Sequence, residues 1–135
     1  MPGHSSGLAD FVRRIPKADL HVHLDGSLRI PTLIELSKKA GLELPSYTED
    51  GLRKLVYKKT YKDLPDYLHG FAYTCAVLRT AENLERAAFE FAEDNIQEGV
   101  RYVEPRFAPQ LMLAPGLAVA DVLRAVDRGL AEAKR

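Results

Sequence analysis

The chain has 135 residues, 46% of them hydrophobic and 28% charged, a balance that makes it globular rather than disordered and about the size of one ordinary domain. Its 19 basic and 19 acidic side chains cancel to zero formal charge, which excludes the electrostatic footprint of a nucleic-acid or anionic-membrane partner and leaves a small-molecule substrate open. Cys75 is the sole cysteine, which rules out an internal disulfide and cysteine-rich zinc patterns; with no apolar run near the ~18 residues of a membrane span, the expected location is cytoplasmic.

Residues 1–14 read as a polar amino-terminal tail without the apolar core of a signal peptide, and His4 belongs to that tail rather than to a ligand set. A strand is predicted over 17–24, inside the run Asp19-Leu20-His21-Val22-His23-Leu24-Asp25-Gly26. Strand side chains alternate faces, so His21 and His23 point the same way with backbones about 6.6 Å apart, close enough for two imidazoles to share one ion. Two histidines are still only half of a catalytic metal site, which needs at least one more protein ligand and an open position. As a bare pair they also fit two ordinary polar residues on a half-exposed strand. Their setting favours the metal, because Asp25-Gly26 is a turn dipeptide that places the pair at the carboxyl end of a buried strand, where α/β enzymes put their chemistry.

Pro31 suits the first turn of a helix and Gly41 its left-handed end, so 31–40 is predicted helical, with Leu33, Leu36 and Ala40 inward and Glu35–Lys39 as an i, i+4 pair on the wet side. The stretch 42–63 has no sustained period and reads as a loop with one short helical piece; its basic cluster Arg53, Lys54, Lys58, Lys59 and Lys62 is interleaved with acids and reads as a solvated face. Leu64, Tyr67, Leu68 and Phe71 then share one helical face, either core or a lid, and His69 is a partly exposed helix residue. Thr80 offers an N-cap to a helix that runs to Glu98 before Gly99, with Leu84, Ala87, Ala88, Phe91 and Ala92 as its buried stripe. Cys75 reads as a buried apolar filler.

A second strand follows at 100–107, with Tyr102, Glu104 and Arg106 on one side and Val103, Pro105 and Phe107 on the other. Pro105 cannot donate to a ladder, so a bulge or strand end is expected beside it. Glu104 and Arg106 are expected to form a structural ion pair. A last helix from about 118 is carried by Val122, Val126 and Leu130. Strand, helices, strand and helix in this order predict an α/β chain built from βα units.

The run Ile15-Pro16-Lys17-Ala18-Asp19-Leu20-His21-Val22-His23-Leu24-Asp25-Gly26-Ser27-Leu28 resembles the opening of the adenosine deaminase family, within the metal-dependent amidohydrolase superfamily. Leu64-Pro65-Asp66-Tyr67-Leu68 through Phe71, and Gly99-Val100-Arg101-Tyr102-Val103-Glu104-Pro105-Arg106-Phe107-Ala108-Pro109, follow in the same order and spacing. The resemblance implies the amino-terminal part of a (β/α)8 barrel, about two of its eight strands with their helices, and zinc-dependent hydrolytic deamination of adenosine to inosine. It also implies one Zn2+ per complete active site, with His21 and His23 as metal ligands, His23 and Asp25 against the bound nucleoside, and Leu64, Tyr67, Leu68 and Phe71 as the lid.

The same family requires a third histidine and an aspartate on the metal, a glutamate as proton donor and a further histidine near the attacking water, all from later strands. His4 and His69 do not replace them by spacing, so no catalytic residue beyond the ligands is expected within the chain. Residues 15–135 are therefore expected to be an incomplete barrel domain, inactive alone and needing the carboxyl-terminal remainder. A deaminase acting on adenine or another 6-aminopurine, and a non-catalytic fragment acting through partner association, stand as the alternatives.

Overall fold

The computed structural model describes residues 4–134, with side chains from residue 7 onward. Its elements are α1 (His4–Arg14), β1 (Lys17–His23), α2 (Ile30–Ala40), α3 (Glu49–Leu55), α4 (Leu64–Val77), α5 (Ala81–Gln97), β2 (Val100–Arg106) and α6 (Val119–Glu132), with a 3-10 turn at Pro109–Leu111. Residues 4–14, expected as tail, form a helix instead, and its exposed Leu8, Phe11 and Val12 explain why composition alone hid it: the apolar positions are sparse but recur at helical spacing. Residues 1–3 and the side chain of His4 lie outside the described set.

β1 and β2 are parallel neighbours, joined by the long crossover that carries α2 to α5. The ladder is irregular where expected. Asp19 pairs with Val103 and Val22 with Pro105, so β1 spends one more residue than β2 on that interval, opposite the proline that has no N–H to offer. One face of the strand pair, through Val22, Val103 and Phe107, packs on the core. The other carries His21, His23, Tyr102, Glu104 and Arg106 and is open, with Tyr102 57% exposed.

The helices are built from the local signals in the chain. Gly41 takes φ 65° and returns its N–H to the end of α2, and the Thr80 hydroxyl accepts from the Asn83 N–H at 3.1 Å to start α5. All five residues of the α5 stripe are buried. Gly99 ends the crossover at φ 80°, where a side chain would be strained, and its carbonyl accepts from the Lys17 N–H at 3.1 Å, tying the start of β2 to the start of β1.

α2 buries Leu33 and Leu36 together with Thr32 and Ser37, while Ala40 faces solvent. The Glu35–Lys39 pair does not form. Glu35 receives a two-pronged contact from Arg86 of α5, both distances 2.8 Å, and Lys39 reaches Glu82 at 3.4 Å. A planar guanidinium held across the helix interface out-competes a flexible lysine on the same helix. α5 and α6 cross closely at Gly129, where a Cβ would collide with the Glu85 carbonyl oxygen and stand 2.8 Å from the Ala88 methyl.

Candidate metal centre and substrate pocket

The carboxyl end of β1 is fixed by its own turn. Leu24 continues the ladder by donating to the Arg106 carbonyl at 2.8 Å; the Gly26 N–H and the Ser27 hydroxyl then both reach back to the His23 carbonyl, at 3.2 and 2.5 Å. This fold-back swings Asp25 inward, leaving it 4% exposed while His23 remains half open. Asp25 Oδ1 lies 3.3 Å from His23 Nδ1. With the proton on Nδ1 the ring donates to the carboxylate and leaves its Nε2 lone pair free, the arrangement that orients histidine ligands in metal sites.

The His21 and His23 ring centroids are 5.5 Å apart and tilted by 60°. Two imidazoles on one tetrahedral zinc, at about 2.0 to 2.1 Å each, have centroids about 5 Å apart, so the pair fits half of such a shell. Among the described residues no group of three or more histidine, cysteine, aspartate or glutamate side chains gathers to complete it. His69 is exposed on α4 with its ring on Tyr73 at 5.5 Å, away from the pair. Glu104 is no reserve ligand either, nor the partner of Arg106: it accepts from the Tyr102 hydroxyl at 2.7 Å. Same-face neighbours two apart on a strand stand side by side, and the phenol reaches the carboxylate on that open face first.

Beside the pair opens a pocket of about 630 Å³, within the range of small-molecule sites. His23, Asp25 and Arg79 are among its polar groups, and Tyr67, Leu68 and Phe71 of α4 with Leu111 form much of its apolar wall. The shared face of α4 is thus not core: Leu64 is 65% and Leu68 50% exposed. Leu64 itself lies outside the pocket lining. Cys75, Arg79, Ala108 and Leu111 also border the pocket. Cys75 was discernible as Phe71 plus four on the same helix face, whereas Ala108 and Leu111 arrive from the loop after β2 with no local signal. Burial, with the nearby Asp25 carboxylate adding to it, pushes the Cys75 thiol up to about 11.

The family model described as adenosine deaminase matches residues 16–135. An adenosine deaminase from Clostridium perfringens is 48% identical over 121 residues, covering 89% of this chain and 36% of that protein. A probable adenosine deaminase from Dictyostelium discoideum is 44% identical over 126 residues, covering 93% of this chain and 16% of its own length. The chain thus spans about a third or less of these curated relatives. Among solved structures, an adenine deaminase from Arthrobacter aurescens superposes with a TM-score of 0.74 at 27% identity, over 87% of this chain and 35% of that one. An amidohydrolase from Burkholderia ambifaria with bound zinc superposes at 0.75 and 24% identity, over 100% of this chain and 36% of the other, a likeness of fold alone.

Proposed function

We propose, from the premise that this chain belongs to the adenosine deaminase family, that it forms the metal-bearing opening of an enzyme that hydrolytically deaminates adenosine to inosine. The fold of that family is a (β/α)8 barrel, and β1 and β2 with their helices are its α/β amino-terminal portion. The observation that carries the functional reading is the convergence of His21, His23 and the buried Asp25 at the carboxyl end of β1, where His23 and Asp25 line a pocket sized for a small molecule.

In this reading His21 and His23 hold Zn2+, and the remaining ligands and proton-transfer groups come from the carboxyl-terminal remainder of the barrel. Bound there, zinc supplies a Lewis-acid centre that makes water nucleophilic near neutral pH. Asp25 steadies His23 through Oδ1 and offers its other oxygen to a sugar hydroxyl of the nucleoside. Tyr67, Leu68 and Phe71 exclude water from the pocket, which strengthens the polar contacts beneath them. Adenosine is favoured over adenine because Asp25 has a use for the ribose and because the relatives at 44% and 48% identity are named for adenosine. The likeness to an adenine deaminase at 27% identity keeps adenine as the second reading. The same reading makes the protein cytoplasmic, in keeping with one free, buried cysteine.

The test is the fall in purine absorbance as adenosine becomes inosine. The 135-residue chain alone is expected to show no turnover, and addition of the carboxyl-terminal remainder to restore it. A complete protein that ignores adenosine and deaminates adenine overturns the substrate assignment. A calorimetric zinc titration checks the ligands: weak binding to this chain, tight binding to the complete protein, and loss of tight binding in both His21→Ala and His23→Ala. Affinity unchanged in the two variants overturns the metal assignment.

A further inference from the structure

The His23 ring is held from a side that no ligand assignment covers. Phe71, on α4, meets it edge to face with centroids 5.8 Å apart and ring planes at 82°. The carboxylate contact at 3.3 Å is at the long end for a hydrogen bond and fixes one direction of a half-exposed ring. The phenyl blocks a second direction. We propose that Phe71 is a positioning residue for the metal ligand His23, so that the placement of α4 and the affinity for zinc are coupled; the inference rests on the metal reading given above.

Three further observations support the coupling. First, Gly26 is not among the positive-φ glycines, so its missing side chain serves space rather than backbone freedom. A Cβ there would stand 3.0 Å from Phe71 Cζ, 3.1 Å from Cε1 and 3.6 Å from the His23 Cβ, so the turn that follows the ligand strand leaves a slot into which the phenyl fits. Second, Phe71 is itself braced. Tyr67 packs on it edge to face at 5.5 Å, and Tyr61 packs on Tyr67 at 5.1 Å. Third, the far end of this aromatic series is anchored: the Tyr61 hydroxyl donates to the Val56 carbonyl at 3.1 Å, and Lys58 pairs with Asp66 in the first turn of α4 at 2.5 Å. A series of ring contacts therefore runs from the loop after α3, through α4, to the imidazole.

Such a series transmits position because each ring has little freedom once its neighbours are set. Removing Phe71 returns rotational freedom to His23, which zinc binding must then remove again. By linkage the effect is reciprocal: zinc on His23 favours the position of α4 in which Phe71 touches the ring, and displacement of α4 weakens zinc.

The experiment is a calorimetric zinc titration of the metal-free complete protein, comparing wild type with Phe71→Ala, Gly26→Ala and Leu68→Ala, each checked for folding by circular dichroism. Leu68 lines the same pocket but makes no ring contact with His23. Phe71→Ala is expected to weaken zinc about threefold to tenfold, the range an aromatic edge contact supplies. Gly26→Ala, which keeps every side chain and only fills the slot, is expected to weaken it similarly and decides the matter should Phe71→Ala fail to fold. Leu68→Ala is expected to raise KM and leave zinc affinity within twofold. Zinc affinity unchanged in Phe71→Ala or in a folded Gly26→Ala overturns the proposal. A wild type whose zinc binding ignores His21→Ala overturns the metal reading instead.

Discussion

The Asp25 carboxylate and the His23 imidazole, two residues apart in the chain, meet at 3.3 Å because the Gly26 and Ser27 contacts to the His23 carbonyl fold the chain back on itself. The short loop thereby places a buried anion behind an exposed base. Asp25→Ala is expected to weaken zinc binding to the complete protein about 10- to 100-fold, the usual cost of removing a group that orients a histidine ligand. KM for adenosine should rise in the same variant, and Asp25→Asn, which keeps an acceptor oxygen on the ring, should recover part of both. Calorimetry and steady-state kinetics measure the two effects separately.

Gly129 is the point where α6 crosses α5, and its Cβ position is already occupied by the Glu85 carbonyl and the Ala88 methyl. Gly129→Ala is therefore expected to destabilise despite the better helix propensity of alanine, by about 1 to 3 kcal/mol from overpacking. A thermal melt followed by circular dichroism should show Tm several degrees lower. A melt equal to or above wild type would place the two helices further apart than described.

Cys75 faces the pocket but should react slowly. With its thiol pushed up to about 11 by burial and by Asp25, only roughly one molecule in a thousand carries the thiolate at pH 8. Modification by an aromatic disulfide reagent, followed by absorbance, is expected to lag far behind a free thiol and to accelerate as pH rises toward that value. Asp25→Asn removes the neighbouring charge and should make Cys75 react faster at a given pH.

The Arg86 guanidinium, chiefly through its hydrogen bonds and secondarily through its charge, holds the Glu35 carboxyl below the usual carboxylate range. A lowered folded-state value stabilises the fold above the unfolded value and loses that contribution as pH falls through the folded one. The stability gap between wild type and Glu35→Gln, read from denaturant midpoints, should thus be present at pH 7 and vanish in strong acid. Because Glu35 is exposed the gap should be small, and it should shrink further in high salt.

How much of this was legible in the chain depends on how far apart the interacting groups are. The Gly41 and Thr80 caps, the α5 stripe and the His21/His23 pairing are consequences of one helix or strand repeating its own geometry, and the residues announce them. Glu35 found Arg86 in place of Lys39, and Glu104 found Tyr102 in place of Arg106, because those choices depend on which neighbour the fold brings nearest. Helix α1 is not legible from composition, because Leu8, Phe11 and Val12 are too few to outweigh its polar residues.

By itself the sequence determined the family and the shared face of two histidines: alternation along a strand puts His21 and His23 on one side, and Asp25-Gly26 ends that strand directly after them. Only the tertiary structure decided what stands around the pair. The parallel register of β1 with β2, with its bulge opposite Pro105, sets the loop after β2 beside the loop after β1, and so brings Leu111 to the pocket. The slot left at Gly26 lets Phe71, 45 residues further along the chain, press against His23. Those contacts arise from the angles and distances between packed elements, and no periodicity within a single segment encodes them.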